Sequence, residues 1–172
     1  MPTALPSDTE LDTCDRKLLL ALQQNARTPF AELARRVGLS TPAVIERIRK
    51  LEDRGVILGY RAMVDVAKIG LPVRAFVKVT VAGDKLDRFA RMTTKIPEVL
   101  ECHRVTGAES FLVQVAARDM QHIQEVIDSM MPYVATNTAM VLASPVPWRV
   151  VEAPEPPKAQ RLQARTTRRV RS

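Results

Sequence analysis

The residues best equipped to do chemistry lie between Arg35 and Arg54. The cations Arg35, Arg36, Arg47, Arg49, Lys50 and Arg54 crowd into this stretch, interleaved with Ser40, Thr41, Pro42 and Glu46. Guanidinium and ammonium groups at that density suit neutralisation of phosphate oxygens. Short polar and apolar side chains among them suit contact with base edges. The chemistry implied is recognition of duplex nucleic acid, although any single cation is equally readable as a solvated surface charge. Elsewhere reactive groups are sparse. His103 and His122 are the two histidines, with no acid or cysteine at ligand spacing, and read as one surface ring and one partly buried ring. Cys14 and Cys102 lie far apart and suggest neither a disulfide framework nor a metal knuckle.

Positioning those cations requires helices. Leu11, Leu18, Leu19 and Leu22 recur at helical spacing, and the pattern lapses at Asn25-Ala26-Arg27-Thr28-Pro29. A short second helix is expected from about Phe30 to Val37, stopped by Gly38. A third opens at Ser40, whose hydroxyl can cap free N–H groups, tolerates Pro42 in its first turn and ends at Gly55. Ala34, Gly38 and Val44 stand four and six apart, which suits a helix-turn-helix: a small residue at the helix contact, a residue tolerating positive φ in the turn, and an apolar anchor. A plain helical hairpin is the alternative.

At 100° per residue Val44, Ile48 and Leu51 share a narrow inward wedge, with Pro42, Glu46, Arg49, Lys50 and Asp53 opposite. Thr41, Pro42, Glu46 and Arg49 are therefore the expected readers of base edges in a major groove. Arg35, Arg36, Arg47, Lys50 and Arg54 are the expected phosphate ligands. Glu46 repels phosphate, so it must accept from a cytosine amino group or stay clear.

Beyond this segment, Val56 to Val64 reads as extended chain, a small ribbon leading to a linker near Gly70-Leu71-Pro72. From Val73 the apolar period becomes two. A helix with Leu86, Phe89 and Ala90 comes next, then strands over about Val99–Val105 and Phe111–Ala117, a helix from Asp119, and a last strand over about Ala139–Leu142. The order βαββαβ places an antiparallel sheet under two helices, a ferredoxin-like sandwich, and the whole chain is α+β. The expected divisions are a flexible arm over 1–10, a helix-turn-helix domain over 11–57, a ribbon and linker over 58–72, a βαββαβ domain over 73–151, and a disordered basic tail over 152–172.

Of the net charge of +7, the tail alone carries six basic and two acidic residues, so bulk charge is a weak argument for nucleic acid. No apolar run is long enough for a membrane helix and the first residues lack a signal-peptide pattern, so a cytoplasmic protein without membrane partners is expected.

Leu11-Asp12, Asp15, Leu18-Leu19, Leu22, Asn25-Ala26-Arg27, Glu32-Leu33-Ala34, Val37-Gly38-Leu39-Ser40, Val44, Arg47-Ile48, Leu51-Glu52 and Gly55-Val56-Ile57 together resemble the leucine-responsive/asparagine regulator (Lrp/AsnC, feast-famine) family of transcription regulators. The likeness continues through Val99, Glu101-Cys102, Val105-Thr106-Gly107, Phe111-Leu112, Val134, Thr136 and Thr138. The resemblance implies a winged-helix-like reader of double-stranded DNA joined to a sensing and assembly domain. It further implies dimers paired through the sheet, assembly into octamers or open arrays, and an amino acid or related effector bound between dimers, with no cofactor or metal.

Carried over by position, the effector pocket would involve Thr106, Gly107, Ser110, Thr136 and Thr138. Backbone N–H groups at a tight glycine turn can take a carboxylate, and hydroxyls can complete its hydrogen bonds. The chain departs from the family where an aspartate often stands three residues after the glycine: here Ser110 occupies that place and Glu109 precedes it. Either Glu109 substitutes, or the ligand is not an ordinary amino acid, or Thr106-Gly107 is only a hairpin turn. Two other readings stay open: an enzyme resembling siroheme decarboxylases, which would use His103 with Arg104, and a sensing module that no longer binds DNA.

Overall fold

A computed structural model describes residues 11–130 and 135–153, which fall into two compact units. The first comprises the described residues up to Ala62 together with Trp148 onwards, and the second runs from Met63 to Pro147. The N-terminal arm and residues 154–172 of the tail lie outside the described residues.

In the first unit, α1 (Thr13–Gln24), α2 (Phe30–Val37) and α3 (Thr41–Asp53) start and stop on local chemistry. Asp12 caps α1 in a reciprocal box: its carboxylate accepts from the Asp15 backbone N–H at 2.8 Å, while Asp15 accepts from the Asp12 N–H at 3.2 Å. The Ser40 hydroxyl accepts from the Ala43 N–H at 3.4 Å, and Pro42 sits in the first turn of α3. Gly38 closes α2 in the left-handed region at φ 71°, and the Leu39 N–H returns to the Ala34 carbonyl. Leu18, Ala21, Leu22, Leu33, Ala34, Val44 and Ile48 form the core, closed by Val37, Leu39 and Ile57.

The second unit is the βαββαβ arrangement: β1 (Val73–Thr80), α4 (Leu86–Thr93), β2 (Val99–Arg104), β3 (Phe111–Ala117), α5 (Met120–Met130) and β4 (Ala135–Met140). The sheet order is β2-β3-β1-β4 and every neighbouring pair is antiparallel. Ala75, Val77 and Val79 of β1 and Val113 and Val115 of β3 face the helices, where Phe89, Ile123, Val126 and Met130 cover them. Phe89 and Phe111 meet with ring centroids 4.9 Å apart.

Two expectations change. No part of Val56 to Val64 pairs as a strand among the described residues, so the ribbon is not formed; instead Ile57 tucks into the helical core and a 3-10 turn spans Val66–Ile69, capped by Asp65. The last strand begins at Ala135, four residues before the expected start. Its Ala-Thr-Asn-Thr opening is too polar to signal a strand by hydrophobicity, yet its backbone pairs along β1 from Thr80 to Ala75.

A Cβ built on Gly38 meets nothing within 4 Å, so only the backbone resists substitution there. Gly38→Ala is therefore expected to destabilise the first unit by about 1–2 kcal/mol, and Gly38→Asn by less. Chemical denaturation checks this; equal stability of all three proteins would show that the turn does not hold the left-handed conformation.

Candidate nucleic-acid interface and effector site

The burial of α3 separates its two faces. Val44, Ile48 and Leu51 are buried, while Pro42, Glu46, Arg49 and Lys50 are exposed and Thr41 is half-buried. Ser40, Arg35, Arg36 and Arg54 are also at the surface. Ile45, which sequence reasoning passed over, is an exposed aliphatic side chain at 44% on the same stretch of helix. The spacing Thr41, Ile45, Arg49 was the available signal: residues four apart share one side of a helix.

The cations are not equivalent. Glu46 lies 3.3 Å from the Arg49 guanidinium and 3.5 Å from the Lys50 ammonium, and Arg36 pairs with Glu32 one turn back. All of these pairs are well exposed, so each contributes only about 0–1 kcal/mol and can be exchanged for a phosphate.

Arg47 differs in that its partners lie on another helix. Its Nη1 lies 2.6 Å from Asp12 Oδ2 and 2.9 Å from Asp15 Oδ1, tying the middle of α3 to the capped start of α1. Asp15 is buried, and Arg47 compensates its charge. Partial burial pushes the Asp12 carboxyl up, but the Asp15 backbone N–H, the Arg47 guanidinium and the Cys14 backbone N–H together hold it below its ordinary value. The hydrogen bonds to Asp12 and then Asp15 push the Arg47 guanidinium up in turn.

In the second unit, Thr106, Gly107 and Glu109 occupy the turn between β2 and β3, with Gly107 at φ 123°. Ser110 does not offer its hydroxyl to that turn's outer side. Its Oγ accepts from the Val81 N–H at 3.1 Å and donates to the Val81 carbonyl at 3.3 Å, while its backbone N–H donates to the Val79 carbonyl at 2.8 Å. It fastens the start of β3 to the end of β1. Thr136 pairs with Val79 from the other flank of β1. The turn and Thr136 thus share one end of the sheet, roughly two strand spacings, or about 10 Å, apart.

Thr136 and Thr138 lie within β4 rather than before it, on its helix-facing side. Thr138 opens into a groove of about 540 Å³ between α5 and β4, lined also by Met120, Gln121, Ile123, Gln124, Ile127 and Met140. The six residues expected in one pocket are therefore divided, with Thr106, Gly107, Glu109 and Thr136 at the sheet end, the Ser110 hydroxyl bonded to Val81 and Thr138 in the groove.

His122 is the partly buried ring, its Nε2 3.0 Å from Glu98, and His103 is the surface ring, beside Glu101 on β2. Among the described residues no helix is long and apolar enough to cross a membrane.

Residues 11–52 match the AsnC-type helix-turn-helix domain, and residues 74–151 match the Lrp/AsnC ligand binding domain. The transcriptional regulator LrpC of Bacillus subtilis is 32% identical over 134 residues, covering 78% of this chain and 93% of LrpC. The chain belongs to the Lrp/AsnC family.

It is a DNA-binding transcription regulator in which a helix-turn-helix domain precedes a ligand-binding domain. The solved structure of LrpC superposes with a TM-score of 0.77 at 31% identity, covering 81% of this chain and 99% of that one. A transcriptional regulator of Neisseria meningitidis, solved as a complex with L-Met, gives a TM-score of 0.76 at 32% identity, covering 84% and 97%. The proline dehydrogenase transcriptional activator of Rhodobacter capsulatus is 36% identical over 137 residues, covering 76% of this chain and 89% of that protein.

Within this Lrp/AsnC chain Arg47 and Lys50 should separate cleanly. Lys50→Ala is expected to lower the slope of log affinity against log salt by about 0.9, the signature of one lost phosphate. Arg47→Met is expected to weaken DNA binding without changing that slope and to destabilise the fold by about 1–2 kcal/mol; a reduced slope would restore Arg47 as a phosphate ligand.

The pH dependence is set by Asp12. Its folded pKa lies below the ordinary 3.8, so its contribution is present above that value and is lost as pH falls through the lowered one. The stability gap between wild type and Arg47→Met should accordingly be constant near neutrality and close in strong acid. A gap that widened on acidification would contradict the assignment.

Proposed function

We propose that the chain is a sequence-specific regulator in which two copies set their α3 helices into successive major grooves on one face of a duplex. The observation that supports this most is the division of α3, with Val44, Ile48 and Leu51 fixing one side while Thr41, Pro42, Ile45, Glu46 and Arg49 remain presented on the other. In this reading Arg49 and Thr41 read base edges, Ile45 packs on a thymine methyl, and Glu46 accepts from a cytosine amino group. Lys50, Arg35, Arg36 and Arg54 hold phosphates, and Ser40 fixes the helix start that carries the readers.

The regulator works as a homo-oligomer in the cytoplasm, built from dimers that assemble to octamers or higher. Its effector is an amino acid or a related small molecule bound between dimers. Support comes from the sheet end: the Thr106-Gly107 turn offers backbone N–H groups to a carboxylate, Glu109 is at hand for an ammonium, and Thr136 stands across β1. Thr138 contributes through the neighbouring groove. The effector then acts by binding one assembly state better than another, which shifts their populations.

Footprinting on the protein's own upstream DNA tests the first part. Protected half-sites spaced by about 10–10.5 base pairs or a multiple are expected; no protection anywhere in the genome would sink the regulator reading. A thermal-shift screen with amino acids tests the second, since a ligand at 100 times its Kd should stabilise by about 2.7 kcal/mol. Thr136→Val should abolish that shift, and a shift untouched by it would place the effector elsewhere.

A further inference from the structure

Residues 148–153 leave the second unit and return to the first, where α1 holds them by the backbone. The Gln23 carboxamide clamps Val151 at two points: its Oε1 accepts from the Val151 N–H at 3.0 Å and its Nε2 donates to the Val151 carbonyl at 2.9 Å. The Val151 side chain is 71% exposed, so the hold is on main chain. Two residues further on, Arg16 donates from Nη1 to the Ala153 carbonyl at 2.8 Å and from Nε to the Leu11 carbonyl at 3.2 Å.

Arg16 and Gln23 stand seven residues apart, which puts them about 10 Å apart along the axis of α1 and within about 20° of each other around it. Leu18, Ala21 and Leu22, which enter the core with Val44 and Ile48 of α3, project from the opposite side. The helix is thus held on both sides, inward by the core and outward by residues 148–153. That outward side also carries Leu19 and Leu20, both partly buried. A helix that met only water there would carry polar residues instead. Residues 148–151 fall within the match to the ligand binding domain, and the helix-turn-helix match stops at residue 52, yet their contacts put them on the helical unit.

The contacts continue to the recognition helix. Leu11, gripped by Arg16, directly precedes Asp12, whose carboxylate both caps α1 and accepts from Arg47 of α3 at 2.6 Å. An unbroken run therefore leads from the Ala153 carbonyl through Arg16, Leu11 and Asp12 to Arg47. A guanidinium presents its donors in a rigid fork, so the two carbonyls on Arg16 are held in a fixed relation to each other. At twelve residues, α1 has a length at which a helix keeps its place by packing rather than by its own stability.

We propose that residues 148–153 are a strap that completes the DNA-reading unit, and that Gln23 and Arg16 are positioning residues for α3. Holding the strap fixes the start of α1, and the start of α1 fixes α3 through Asp12 and Arg47. The inference rests on the DNA-reading role of α3 and deepens it, without giving either residue a contact with DNA.

The test uses the full-length chain as wild type, Gln23→Leu and Arg16→Lys, with thermal denaturation confirming that each folds. Gln23→Leu removes the clamp at similar size, and Arg16→Lys keeps the charge but loses the fork. Amide hydrogen exchange is followed at Val151 and at Asp12, Asp15 and Arg16, whose N–H groups bond within the start of α1. The amides of β3 serve as an internal reference. Gln23→Leu is expected to speed exchange at Val151 by on the order of tenfold and at the three α1 amides by about three- to tenfold, with β3 unchanged. Arg16→Lys is expected to speed the α1 amides while Val151 stays protected. Unchanged exchange at Val151 in Gln23→Leu overturns the clamp, and a freed Val151 with unchanged α1 amides makes the strap a passenger and overturns the proposal.

DNA affinity is measured against salt on the protein's own upstream duplex and on a random duplex. Both variants are expected to lose about three- to tenfold on the upstream duplex and less on the random one, at an unchanged salt slope, because no phosphate ligand is removed. Unchanged affinity overturns the positioning role. An equal loss on both duplexes, or a lowered slope, overturns it in favour of direct contact with DNA. A wild type that bound no duplex would sink the DNA-reading role itself, and hydrogen exchange would still report whether the strap sets the start of α1.

Discussion

The seating of α3 is the constraint on which the DNA-reading unit depends. Three aliphatic side chains, Val44, Ile48 and Leu51, are removed from water along one side of it, each worth about 1.5–3 kcal/mol as an upper estimate. A unit with about sixty described residues buries a modest fraction of its surface, so that contribution alone leaves little margin against chain entropy. Arg47 adds a directional restraint that burial cannot supply. Apolar contact tolerates a helix sliding by a fraction of a turn, whereas a guanidinium held by Asp12 and Asp15 fixes its position along α1. Asp12 is also the cap of α1, so one carboxylate both starts that helix and sets α3 against it.

The same economy of groups governs the second unit. Val79 faces the helical core with its side chain, accepts Ser110 through its carbonyl on one flank and pairs with Thr136 on the other. The glycine turn and β4 are therefore referred to one residue of the central strand pair. A ligand that pulled on the turn would act on a strand whose side chain is locked in the core. Strain of that kind passes along packed elements and cannot be absorbed by side-chain rotation, because Val79 is β-branched and fully buried.

How much of this was legible in the sequence depended on whether the signal was local. The Gly38 turn, the Ser40 cap and the inward wedge of α3 are each written in residues within one or two turns of one another, and the structure has them where periodicity and capping chemistry put them. The βαββαβ order was legible for the same reason. The pairing of Arg47 was not legible because its partners are more than thirty residues away, and a basic residue on a recognition helix looks alike whether it faces phosphate or a buried aspartate. The bonds of Ser110 to Val81 were not legible because hydroxyls are equally suited to ligands and to backbone, and only the register of β1 against β3 brings this one to Val81. The start of β4 was missed since an edge strand held by backbone pairing need not show a hydrophobic alternation. The return of residues 148–153 to α1 had no sequence signal at all, because Gln23 recognises backbone and not a side-chain pattern.

The charge distribution gives these local arrangements a common consequence. The three cations of α3, and Arg36 of α2, have a carboxylate beside them: Arg47 with Asp12 and Asp15, Arg49 and Lys50 with Glu46, and Arg36 with Glu32. Residues 1–65 accordingly carry ten basic against nine acidic groups. A face so balanced attracts DNA weakly at long range, and its cations must exchange partners on arrival, which costs least where the arriving bases and phosphates fit. Discrimination is thus favoured over raw affinity. Residues 154–172 carry six basic residues against one acidic, so most of the net charge of +7 lies, in sequence, outside the reading helix.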